Sequence, residues 1–129
     1  MSEIGLNLTV LPGTYAVCRL DSQANLPGWA TSGDFFSVTR TAGELSVVCE
    51  EGAVPEGVTR EGDWRCLRVR GPLDFGLTGI LASLLAPLAE AGISIFAIST
   101  YDTDYIMVKA ANLERAIAAL SRSGHVISQ

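Results

Sequence analysis

Between Trp64 and Val108 the chain changes its hydrophobic period in an order that few folds accommodate. Trp64, Cys66, Leu67 and Val69 are interleaved with Arg65, Arg68 and Arg70, which reads as a strand with one basic face. Gly71-Pro72 ends that strand. Phe75, Leu77, Ile80, Leu81, Leu84, Leu85 and Leu88 then recur at three- and four-residue steps, the stripe of a helix laid on a sheet. Asp74 is placed to cap its start, Pro87 is expected to kink it or end it early, and Ala91-Gly92 is a stop. Ile93 to Ser99 is almost continuously apolar, as in a strand covered on both faces or interior to a sheet. The polar tip Thr100-Tyr101-Asp102-Thr103 leads into a strand from Asp104 to Ala110.

After that, Asn112 is expected to cap a last helix that sets Leu113, Ala116, Ile117 and Leu120 on one face and stops at Gly124. His125-Val126-Ile127 adds a short final strand. Strand, helix, strand, strand, helix, strand is the split βαβ pattern, with four antiparallel strands covered on one face by two helices. The expected class is therefore α+β and ferredoxin-like.

The first half is richer in strands. Leu6, Leu8 and Val10 alternate with Asn7 and Thr9, and Leu11-Pro12-Gly13 turns the chain into a second strand, Thr14 to Leu20. Ser22 to Ser32 reads as a short helix or a turn. Asp34 to Thr39 and Glu44 to Glu50 read as a hairpin around Thr41-Ala42-Gly43. Residues 51 to 63, with three glycines, a proline and five charges, have the composition of an exposed connection. Two units are expected: 1–60, with the strands of the same pattern but trimmed of its helices, and 61–129, the full pattern.

Charge limits the partners. A formal net charge of −5 over 129 residues, with Lys and Arg scattered singly, argues against nucleic acid and against anionic membrane. No apolar run approaches the roughly 20 residues that span a bilayer. Met1-Ser2-Glu3-Ile4-Gly5 has neither the basic nor the apolar region of a secretory signal, so a cytoplasmic protein is expected. Cys18, Cys49 and Cys66 are widely spaced among strand-forming residues and read as buried, reduced thiols. His125, the sole histidine, reads as a surface residue, and Asp102 as a solvated turn residue. No nucleophile-base pair and no metal-ligand set stands out, so neither an enzyme nor a cofactor is expected.

The segment Leu73-Asp74-Phe75-Gly76-Leu77-Thr78-Gly79-Ile80-Leu81, with Ala91 to Val108 after it, resembles the ACT domains, small ferredoxin-like regulatory modules that bind amino acids. The resemblance extends to small bacterial proteins built of two tandem ACT units, to the aspartokinase regulatory region and to the arginine sensors called Castor. It implies a small amino acid held between two ACT units. The loop would contribute Asp74, Phe75, Leu77, Thr78 and Gly79, and the tip Ser99, Thr100, Tyr101 and Asp104. The Castor sensors have a glutamate where this chain has Leu77, so a smaller or less basic amino acid than arginine is expected. A homodimer is expected as well, since ACT units often join their sheets or helices.

The residues support the same chemistry on their own account. Backbone N–H groups near Thr78 and Gly79 suit a carboxylate, Asp74 or Asp104 suits an ammonium, and Gly76 and Gly79 leave the backbone approachable. The alternative is a structural module that takes no ligand and docks a protein partner through its strand edges.

Overall fold

The computed structural model describes residues 5–73 and 78–129. Its strands are β1 (Asn7–Val10), β2 (Tyr15–Leu20), β3 (Ser37–Arg40), β4 (Leu45–Glu50), β5 (Thr59–Val69), β6 (Ile95–Ser99), β7 (Asp104–Lys109) and β8 (Val126–Ser128). Its α-helices are α1 (Ile80–Glu90) and α2 (Leu113–Arg122), and short 3-10 turns lie at Gly28–Thr31, Glu51–Ala53 and Ala110–Asn112. Two compact units result: Met1–Pro12 with Arg65–Gln129, and Gly13–Trp64. Residues 5–12 thus go with the C-terminal unit, whereas the sequence groups them with the N-terminal half.

In the C-terminal unit β5 lies between β1 and β7, with β8 beyond β1 and β6 beyond β7. The strands β5, β6, β7 and β8 with α1 and α2 are the expected split βαβ unit, and β1 is wedged into it. β1 runs antiparallel to β5, pairing Leu8 with Val69 and Val10 with Leu67, and parallel to β8, pairing Leu8 with Ile127. The sheet is therefore not wholly antiparallel. Alternation puts Leu8, Val10, Leu67, Val69, Ile106 and Val108 in one core with Leu84 and Leu88 of α1 and with Leu113, Ala116 and Leu120 of α2. Both helices cover that one face.

Several local expectations change. α1 starts at Ile80, after Gly79 in the left-handed region at φ 79°, and it continues past Pro87 to Glu90. Asp74, the expected cap, lies outside the described residues. Asn112 precedes α2 but makes no capping bond, and its Oδ1 instead accepts from Arg115 Nη1 at 3.2 Å. Among the described residues β6 pairs with β7 alone, and its Ile95, Phe96, Ala97 and Ile98 are half-buried, so there it is an edge strand rather than an interior one. His125 is 4% exposed, not a surface residue.

The Gly13–Trp64 unit orders its strands β3-β4-β2-β5, with antiparallel pairs throughout. Counted from β2, that is second, third, first, fourth: the strand order of the ferredoxin-like pattern. Where that pattern has helices, the turns Gly28–Thr31 and Glu51–Ala53 stand instead. Its core is accordingly small, built from Ala16, Cys18, Ala30, Leu45, Val47, Cys49 and Val54. Thr59 to Asp63, read from composition as connection, belong to β5; Glu51 Oε1 accepts the Asp63 N–H at 2.9 Å, where the backbone turns to φ 62°.

Candidate functional site

The end of β5 and the tip between β6 and β7 are bound to each other in the C-terminal unit. Thr103, 7% exposed, donates from Oγ1 to the Val69 carbonyl at 2.6 Å. The Leu73 N–H donates to the Asp102 carbonyl at 2.7 Å. The tip itself is closed by the Thr100 N–H donating to the Thr103 carbonyl at 2.8 Å and by the Thr103 N–H donating to Thr100 Oγ1 at 3.2 Å. Between these ties the chain turns through Gly71-Pro72, whose peptide bond is cis.

Gly71 is required there by space. A Cβ on it would stand 2.8 Å from the Asp102 carbonyl oxygen and 3.1 Å from Thr103 Cβ. Both neighbours are held by the bonds just described, so the contact has no cheap relief.

Alongside this junction is an open cleft of about 420 Å³, within the range of small-molecule sites. Arg68, Arg70, Gly71, Thr100, Asp102 and Tyr105 are among its lining residues. Arg68 and Arg70 share a face because strand side chains alternate, and Val69 between them points into the helix-covered core. Arg65 does not join this basic pair: it is half-buried and its Nη2 donates to the Leu11 carbonyl at 3.4 Å. Among the described residues the cleft thus has two guanidinium groups, one carboxylate, two threonine hydroxyls and a phenol in its lining. Guanidinium groups bind carboxylates in forked pairs, and a carboxylate accepts from an ammonium.

Of the residues expected to hold a ligand, Thr100 lines this cleft. Ser99 and Asp104 are bound to each other, Oγ donating to Oδ1 at 2.6 Å. Tyr101 is 82% exposed at the tip, and Thr78 and Gly79 are exposed ahead of α1. Asp74, Phe75 and Leu77 lie outside the described residues. Arg68, Arg70, Asp102 and Tyr105 are not among the ligand residues expected from the sequence; the signal available was the two-residue spacing of the arginines just before a Gly-Pro turn.

Among the described residues, no group of three or more His, Cys, Asp or Glu could hold a metal ion. The three cysteines are free and buried. Burial pushes the Cys66 thiol up to about 12, with the Arg68 guanidinium opposing it, and pushes Cys49 up to about 11, with Cys18 beside it adding to the effect. Cys18 is raised too, again by burial.

The family model described as ACT domain matches residues 59–122, the stretch that carries the split βαβ unit and the cleft. This is an ACT-domain protein. A second model, describing an N-terminal domain, matches residues 13–57, ahead of the ACT domain.

Relatives agree with that assignment. The chain is 33% identical over 99 residues to the cytosolic arginine sensor for mTORC1 subunit 1 of Bos taurus, covering 68% of this chain and 30% of the sensor. The human protein of that name is 31% identical over the same shares. This ACT-domain chain therefore spans less than a third of the length of those sensors. Among solved structures, protein Atu0741 from Agobacterium tumefaciens is 38% identical with a TM-score of 0.91, covering 96% of this chain and 92% of that one. The regulatory subunit of aspartate kinase from Thermus thermophilus shares the fold, with a TM-score of 0.63 at 11% identity over 90% and 95% of the two chains. No helix among the described residues is long and apolar enough to cross a membrane.

Proposed function

We propose that this ACT-domain protein is a non-catalytic regulatory module that binds a free amino acid in the cleft beside Gly71. One observation carries the reading: groups of opposite charge, Arg70 and Asp102, line one small cleft at the junction of strand end and tip. An amino acid brings a carboxylate and an ammonium on one carbon, and Arg70 and Asp102 are their respective partners. Thr100 adds a hydroxyl. Kinship with sensors named for arginine supports an amino acid as the ligand class, and the cytosolic place in their name supports a cytoplasmic one here.

Regulation requires that the ligand bind one arrangement of the protein better than another. The tip is suited to this, since it closes through a few hydrogen bonds around Thr100 and Thr103. Titration calorimetry with the twenty amino acids tests the proposal. At least one is expected to bind at micromolar to millimolar concentration, and Arg70→Gln and Asp102→Asn are each expected to abolish it. Silence from all twenty would remove the reading.

The edge position of β6 favours a homodimer. Its outer side offers backbone groups to a second strand, and Ile95 to Ile98 would gain cover there. Light scattering behind size exclusion distinguishes a 13.6 kDa monomer from twice that mass. Ala97→Pro, which removes an edge donor, is expected to shift a β6-mediated dimer to monomer.

A further inference from the structure

We infer that the ligand is an acidic amino acid, with two carboxylates, rather than a neutral or basic one. The inference rests on the amino-acid reading above and adds the class of side chain. Its basis is a count of charges among the described residues: the cleft is lined by two arginines, Arg68 and Arg70, against one acidic residue, Asp102. Among the described residues, neither guanidinium makes a side-chain hydrogen bond or has a carboxylate partner.

A neutral amino acid matches one positive and one negative group and leaves the second guanidinium facing no anion. A basic amino acid brings a third cation to the pair. An acidic one supplies two carboxylates and one ammonium, which are complementary to two guanidiniums and one carboxylate in number as well as in sign. Exclusion of the basic class is repulsive rather than merely unrewarded, and that kind of discrimination is the more selective.

Position assigns the roles. Arg70 adjoins Gly71, the residue pressed against the Asp102 backbone, so Arg70 and Asp102 are the pair for the α-carboxylate and α-ammonium. Arg68 lies two residues back on the same strand face, about 7 Å away along the backbone. Arginine side chains are long enough to converge from that spacing on the two ends of one small dicarboxylate. Arg68 is exposed, so it is available to the side-chain carboxylate and is not needed by the core.

The test uses the full chain and calorimetry with L-aspartate, L-glutamate, L-asparagine, L-glutamine, L-alanine and L-arginine. L-aspartate or L-glutamate is expected to bind at least tenfold more tightly than its amide, and L-arginine not at all. Arg68→Gln should erase the advantage of acid over amide, and Arg70→Gln should abolish binding of every amino acid. Tighter binding of a neutral or basic amino acid, still lost in Arg70→Gln, would overturn the acidic class and leave the amino-acid reading standing. Absence of binding by all six and by the remaining amino acids would overturn both. Melting curves confirm that each variant is folded.

Discussion

His125 donates from Nε2 to the carbonyl of Ser83 at 3.0 Å. That carbonyl is the one that Pro87, four residues on in α1, leaves without its helical partner, because proline has no N–H. The same ring accepts the Leu6 N–H at Nδ1, 3.1 Å away, which fixes the proton on Nε2. One buried imidazole therefore makes good a helix defect and anchors the segment that leads into β1.

Removing it should be costly. His125→Ala leaves the Ser83 carbonyl and the Leu6 N–H both without a partner; a fully buried orphan costs about 1–3 kcal/mol, and these part-buried ones fall toward the lower end. The two effects share a partner, so they can be separated. In a Pro87→Ala background residue 87 regains an N–H for Ser83, and His125→Ala should then cost less, with a coupling above about 0.5 kcal/mol. Urea denaturation of the parent, both single variants and the double variant measures it. Strict additivity would show that the histidine and the proline act independently.

Thr103 plays the corresponding part at the other end of the unit, by holding the tip to Val69. Thr103→Val keeps the shape and deletes the donor, so the buried Val69 carbonyl loses a hydroxyl partner. A loss of about 1–2 kcal/mol is expected in urea denaturation. Because the tip lines the cleft, amino-acid affinity should fall with it, whereas Thr39→Val, on an exposed strand of the Gly13–Trp64 unit, should change neither.

The split βαβ order was legible because its signals are local: the alternation of Leu67 and Val69 around Arg68, the spacing of Ile80, Leu84 and Leu88, and Gly92 after α1. The insertion of β1 between β5 and β8 was not, since Leu8 and Val69 meet across 61 residues and alternation does not say which strand a strand will join. His125 was misread for a like reason: its partners Leu6 and Ser83 are distant in sequence, and a lone histidine among turn residues looks exposed. At the cleft, the helix start draws the eye to Thr78 and Gly79, while Arg68 and Arg70 look in sequence like one basic face of a strand. Only pairing with the tip gives that face a wall.

The buried thiols make stability fall in alkali. Cys66 and Cys49 have folded values of about 12 and about 11, above the ordinary thiol value of 9.0, so folding favours their protonated forms. Their contribution is whole below the ordinary value and is lost as pH rises from there toward the folded values, because only the unfolded chain ionises in that window. At pH 10 the loss should be about 1–1.5 kcal/mol for each thiol. The difference in unfolding free energy between parent and Cys66→Val, followed from pH 7 to pH 10, isolates the term from other groups that titrate in alkali. A flat difference would mean that Cys66 ionises as readily folded as unfolded.

Gly71→Ala places a methyl where the Asp102 carbonyl oxygen already stands, 2.8 Å from the new carbon. The strand end and the tip must then separate, which strains the bond from the Leu73 N–H to Asp102 and the bond from Thr103 to Val69. Overpacking of this kind costs about 1–3 kcal/mol. The cost should appear in urea denaturation, and amino-acid binding should weaken by more than the stability loss explains, because Arg70 and Asp102 move apart. Gly52→Ala is the control: a Cβ there meets no atom within 4 Å, and neither quantity should change by more than the error of the measurement. If Gly71→Ala proved as harmless as Gly52→Ala, the close approach of bend and tip would not be the arrangement that holds the cleft in shape.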